Sequence, residues 1–79
     1  MAVVAIYQEL KEIFDDAFLR DDLVVTPGLR PADVPEWDSI KQVEIIVAIE
    51  KRFGIKFRTK EIDSIHKVED LARLIAQKT

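Results

Sequence analysis

Ser39 is the residue of this chain whose surroundings could support chemistry. It stands in the run Pro35-Glu36-Trp37-Asp38-Ser39-Ile40, at the predicted start of a helix. A hydroxyl in a first helical turn lies near solvent, beside unpaired backbone N–H groups and the positive end of the helix dipole. That environment suits a phosphate, so a phosphodiester formed on this oxygen would place its charge where a helix N-terminus stabilises anions. Taken alone, an Asp-Ser pair most often does no more than begin a helix, with Asp38 as the N-cap.

Other chemistries are poorly supplied. The chain has no Cys, so it offers no disulfide framework, thiolate metal site or Cys nucleophile, and reactive sulfur would have to be imported. A lone His66 cannot make a His-rich metal cluster, and there is no Gly-rich nucleotide loop. No set of side chains could assemble a general acid, a base and an oxyanion site, which argues against an enzyme. A net charge of −3, with basic residues scattered singly or in pairs, lacks the footprint of a nucleic-acid binder and favours basic protein partners. Met1 to Leu10 lacks a basic leader region and runs into a periodic helix, and no apolar run reaches the length of a membrane span. The expectation is a cytoplasmic protein acting without a membrane. Nothing suggests an oligomer, so a monomer is expected.

The elements that must position Ser39 can be read from hydrophobic spacing. Seventy-nine residues, 48% hydrophobic with two Gly and three Pro, make a single helical domain over 1–79 with too small a core for a deep substrate cleft. From Val3 to Phe18 the positions Val3, Ile6, Tyr7, Leu10, Ile13, Phe14, Ala17 and Phe18 recur at three- and four-residue steps, which predicts helix one. Leu19 to Asp38 loses the period and holds Pro27, Gly28, Pro31 and Pro35, so it reads as a long loop. Its Leu23, Val24, Val25, Leu29, Val34 and Trp37 can pin it down, with room for one short turn. Helix two runs from Ser39 to Phe53 and stops at Gly54. A brief helix over Thr59 to Asp63, capped by Thr59 and anchored by Ile62, precedes the last helix, Lys67 to Gln77, whose inner face is Val68, Leu71, Ala72 and Ile75. The result is an all-α bundle of three main helices and one short one, with a long loop between the first two.

Helix two is apolar on two sides. At 100° per residue, Ile45, Ile46, Ile49 and Phe53 cluster on one face, while Ile40, Val43 and Val47 cluster nearly opposite. So small a domain buries one stripe deeply. The second is then either an exposed docking strip rimmed by Glu44, Glu50 and Lys51, or core under the long loop. Periodicity does not choose between the two. The second stripe begins immediately after Ser39.

Asp38-Ser39-Ile40, followed by Glu50-Lys51-Arg52-Phe53 at the end of the same helix, resembles the Asp-Ser-Leu and Glu-x-x-Phe pattern of the acyl carrier proteins, with Ile40 in place of Leu. The likeness extends through the amphipathic first helix and the long loop to the segment Ile65-His66-Lys67-Val68-Glu69-Asp70-Leu71. It implies a four-helix bundle that carries acyl intermediates as thioesters on a 4′-phosphopantetheine arm. A phosphopantetheinyl transferase would attach the arm to Ser39 from coenzyme A with the help of Mg²⁺. Asp38 would cap the helix and help orient the transferase's metal and phosphate. The resemblance also implies that partner enzymes grip Ile40, Val43, Glu44 and Val47, and that the wall formed by Ile45, Ile46, Ile49 and Phe53 parts to admit the acyl chain. Acyl ligases, acyltransferases and synthases of fatty-acid, lipid or secondary-metabolite biosynthesis would be its partners.

Departures from the family pattern carry their own expectations. Helix two interleaves Lys41, Lys51 and Arg52 with Glu44 and Glu50, a mixed field that steers weakly towards basic patches. This points to a carrier for a dedicated pathway over the general fatty-acid one. Trp37 either restricts access beside the attachment site or anchors the loop. His66 and Lys67 stand where the family often has a capping Thr, so that cap is either missing or supplied by another residue. Two alternatives are an aminoacyl or peptidyl carrier loaded by an adenylating ligase, and a helical interaction module in which Ser39 only begins a helix.

Overall fold

A computed structural model describes residues 2–79; Met1, the first residue of the stretch read for a leader, lies outside them. Among the described residues four α-helices follow one another: α1 (Val3–Phe18), α2 (Ser39–Phe53), α3 (Thr59–Asp63) and α4 (Val68–Lys78). The loop between α1 and α2 contains one 3₁₀ turn, Pro31–Asp33. The all-α bundle expected from the periodicity is present, with α4 shifted one residue later than 67–77.

α1 packs against both α2 and α4. Its inner face, Ile6, Leu10, Ile13, Phe14 and Phe18, is buried, as the three- and four-residue spacing requires. Ile45 and Ile49 of α2 and Val68, Leu71 and Ile75 of α4 meet that face with no exposed surface. Each such side chain contributes about 1.5–3 kcal/mol of burial. α2 ends at Gly54, whose φ of 67° lies in the left-handed region that costs glycine nothing. α1 ends instead on Leu19, at φ 53° with its side chain 90% exposed, so a β-carbon is forced into the left-handed region without any packing in return.

The long loop is part of the core. Leu23, Val34 and Trp37 are buried and Val25 and Leu29 half-buried, while Val24 is exposed. The indole of Trp37 meets Phe14 and Phe18 edge-on, with ring centroids 5.2 and 6.3 Å away. Carbonyls of Pro27 and Leu29 accept from the backbone N–H groups of Glu69 and Val68 at 3.0 and 2.9 Å. The loop thereby satisfies donors that the first turn of α4 cannot pair internally.

One cap left open by the sequence is filled, and one differs from that expected. The cap missing at His66 and Lys67 is supplied by Asp70, whose Oδ2 accepts from both their backbone N–H groups at 2.9 and 3.2 Å. These bonds, led by the one from His66, hold the Asp70 carboxyl below its ordinary pKa. At α3 the capping acceptor is Glu61, which takes the Arg58 N–H at 2.7 Å; Thr59 is already the first helical residue.

Candidate functional site

Ser39 is the first residue of α2 and is exposed. Asp38 behind it has extended backbone, and its Oδ1 accepts from the N–H of Lys41 at 2.9 Å. The Asp38 carbonyl accepts from Gln42 N–H at 2.9 Å, the first rung of the helical ladder. The N–H groups of Ser39 and Ile40 have no protein acceptor among the described residues, so they stand ready for an anion on the serine oxygen. Asp38 therefore does what the sequence expects of an N-cap, and the Ser39 hydroxyl is open to solvent.

Three ties hold this turn in place. Below it, buried Trp37 donates its indole N–H to Gln42 Oε1 at 2.7 Å, spanning Ser39 from two residues before to three residues after. Beside it, Lys41 reaches across to the end of α1, donating to the Ala17 carbonyl at 2.8 Å and to Glu44 at 2.9 Å. A cation near the last carbonyls of α1 is favourable to that helix dipole. Upstream, Arg20 forks onto Asp22 and also donates to Glu36 at 3.0 Å, fixing the loop entrance to the residue before Trp37. The hydrogen bonds that Arg20 donates to Asp22 and Glu36 raise its pKa, and Arg20 in turn lowers that of Asp22.

The two faces of α2 separate as the 100° spacing implied. Ile40, Val43 and Val47 are 73%, 62% and 41% exposed, so the loop does not cover them. Glu44 lies exposed in the same strip, paired with Lys41. Ile45, Ile46 and Ile49 are buried in the core and Phe53 is half-buried behind them. Trp37 proves to be the loop anchor: buried under the attachment turn, it presents no bulk to an approaching enzyme.

Beside Ser39 opens a groove of about 510 Å³ between the start of α2, the loop and α3, whose lining includes Trp37, Gln42, Val43, Ile62 and Ile65. The sequence reading missed Lys41 and Gln42 as site residues. Their partners, Ala17 and Trp37, lie on other elements or off the helical repeat, so no local spacing announces them.

The segment 37–75, which contains the whole of α2 and its cap, matches the family model described as a phosphopantetheine attachment site. The chain is similar over its length to curated acyl carrier proteins. It is 31% identical over 72 residues to that of Rubrobacter xylanophilus, covering 91% of this chain and 89% of the relative. It is 30% identical over 73 residues to that of Thermosynechococcus vestitus, covering 92% and 90%. Its fold is similar to the solution NMR structure of the holo acyl carrier protein from Geobacter metallireducens, with a TM-score of 0.87 and 33% identity over 91% of this chain and 83% of that one. The fold and the attachment segment thus define a phosphopantetheine-dependent carrier. Within that class, the chain belongs to the acyl carrier proteins.

Proposed function

We propose that Ser39 is the residue on which this acyl carrier protein bears its 4′-phosphopantetheine. The observation that carries the reading is an exposed hydroxyl at the head of α2, next to two unpaired backbone N–H groups and inside the segment that matches the attachment-site family. The residues present fit the group: the helix N-terminus stabilises a phosphodiester anion, and the neighbouring groove gives a flexible arm somewhere to lie. When bound, the group supplies the thiol that forms thioesters, which this Cys-free chain cannot supply.

As a non-catalytic carrier, the protein works with a phosphopantetheinyl transferase and with biosynthetic enzymes. In the loading step the Ser39 oxygen bonds to phosphorus, the nucleotide bisphosphate of coenzyme A departs, and the serine proton passes to a base on the transferase. Asp38 keeps the first turn wound and orients the transferase's metal and phosphate. Ile40, Val43, Glu44 and Val47 form the strip gripped by partner enzymes, an apolar ridge with a charged flank. Ile45, Ile46, Ile49 and Phe53 are the wall that parts for an acyl chain. Because Lys41 already neutralises Glu44, the ridge steers weakly towards basic partners, which supports service to a dedicated pathway. The carrier acts as a monomer in the cytoplasm; among the described residues no helix is long and apolar enough to cross a membrane.

Treatment with coenzyme A, Mg²⁺ and a broad-specificity phosphopantetheinyl transferase should add one phosphopantetheine mass to the protein and none to Ser39→Ala. A modified Ser39→Ala protein, or an unmodified wild type across several transferases, refutes the assignment.

A further inference from the structure

Leu19 carries two costs that the fold does not offset. Among the described residues it is the one non-glycine with positive φ, at 53°, where a β-carbon is disfavoured, and its side chain is 90% exposed. Ile40 and Val24, the next most open of the large apolar side chains described, stand at 73%.

Its place in the fold is beside the attachment turn. α1 and α2 run antiparallel, since Lys41 donates to the Ala17 carbonyl while Arg52 pairs with Glu9, so the exit of α1 lies at the same end of the bundle as Ser39. On both sides of Leu19 the chain is fastened to that turn: before it through Ala17 and Lys41 at 2.8 Å, after it through Arg20 and Glu36 at 3.0 Å. Leu19, Asp16 and Asp21 line one shallow depression. Asp15 is held by Lys11 and Asp22 by Arg20, but Asp16 and Asp21 are exposed and form no ion pair among the described residues. On α2 the exposed Glu44 is matched by Lys41. Apart from the capping Asp38, the carboxylates on this flank that are open to a cationic surface therefore lie at the exit of α1.

We propose that Leu19, rimmed by Asp16 and Asp21, is a docking knob for the phosphopantetheinyl transferase, which receives it in an apolar pocket bordered by basic side chains. The inference rests on Ser39 being the attachment point. Chemistry singles out this partner. The transferase must bring its own groups to the Ser39 oxygen, so its footprint covers the surface fastened to that turn. An enzyme that acts on the thiol works at the far end of the arm and need not approach the turn. The ties through Lys41 and Arg20 hold the knob in place before the encounter, which limits the ordering cost of docking. Burial in the complex then offsets the exposure that the free protein leaves uncompensated.

The test follows loading of the full chain by intact mass, with coenzyme A, Mg²⁺ and a broad-specificity phosphopantetheinyl transferase, and reads kcat/KM. A wild type that gains no mass overturns both the attachment reading and this one. Leu19→Gly should melt no lower than wild type and yet load with kcat/KM reduced about tenfold, through a raised KM at unchanged kcat, as expected for lost apolar binding. Leu19→Asn, which tolerates the left-handed φ but lacks the apolar side chain, should lose a similar factor. Val24→Ser removes an exposed apolar side chain from the flank of the first half of α1 and should load as wild type does. The double change Asp16→Asn, Asp21→Asn should lower kcat/KM about three- to tenfold at low salt and match wild type at high salt. Leu19 variants that load at the wild-type kcat/KM, or a Val24→Ser protein slowed as much as they are, overturn the knob while leaving attachment at Ser39 intact. A salt response unchanged by the double Asp variant overturns the basic rim of the pocket.

Discussion

Removing the acceptor of the Trp37–Gln42 bond should destabilise the protein more than the bond itself is worth, and removing the donor as well should cost less than the two single changes add up to. Trp37 is 5% exposed and its indole N–H has one partner, Gln42 Oε1. Gln42→Leu leaves the donor stranded at a site with little access to water, at a cost of about 1–3 kcal/mol. Trp37→Phe keeps a ring against Phe14 and Phe18 but gives up volume and the bond, while the half-exposed Gln42 oxygen turns to water. In the double variant no donor remains to strand, so its cost should fall short of the sum of the two single costs by about 1 kcal/mol or more. Urea unfolding followed by far-UV circular dichroism reads this without a tryptophan probe. At the ~1–3 kcal/mol/M slope of a small protein, the Gln42→Leu midpoint should fall by about 1 M. Costs that add to within about 0.3–0.5 kcal/mol would show that the two side chains are not coupled and that the strap across Ser39 contributes nothing.

Other outcomes follow from single positions. Leu19→Gly should stabilise the fold by about 0.5–1 kcal/mol in the same assay, because glycine meets the left-handed φ of 53° without strain and the lost side chain was 90% exposed. Asp38→Ala removes the acceptor for Lys41 N–H and should cost about 1 kcal/mol, which is about 4–8 °C in Tm for a domain of this size; slower loading of Ser39 by a transferase is expected with it. Asp70→Asn weakens the acceptor for His66 and Lys67. Since the native Asp70 carboxyl lies below its ordinary value of 3.8, its contribution is present above that value and lost as pH falls through the native one. The Tm advantage of wild type over Asp70→Asn should therefore be full near neutral pH and shrink below about pH 5; an advantage that grows on acidification contradicts the assignment.

Much of this protein was legible in the chain because its signals are local. Apolar residues at helical spacing set α1, α2 and the inner face of α4, and Asp38 and Gly54 mark the ends of α2 through side-chain capping and backbone freedom that act within a turn. The Asp38-Ser39-Ile40 run pointed to the candidate attachment residue through its resemblance to the acyl carrier proteins, since an Asp-Ser pair taken alone marks no more than a helix start. Other features depend on what folds beside them. Periodicity could not say whether Ile40, Val43 and Val47 faced water or lay under the loop, because exposure depends on where the loop docks. That is settled by the Pro27 and Leu29 carbonyls on the first turn of α4 and by Trp37 on Phe14 and Phe18. Asp70 as a cap, Lys41 on the end of α1 and the orientation of Gln42 likewise arise from partners chosen by packing. Sequence fixed the helices and the hydroxyl at the head of one of them, since each follows from neighbours along the chain. Only the tertiary structure decided which face of α2 stays open and what surrounds that hydroxyl, since those depend on residues far apart in the chain brought together by a shared core.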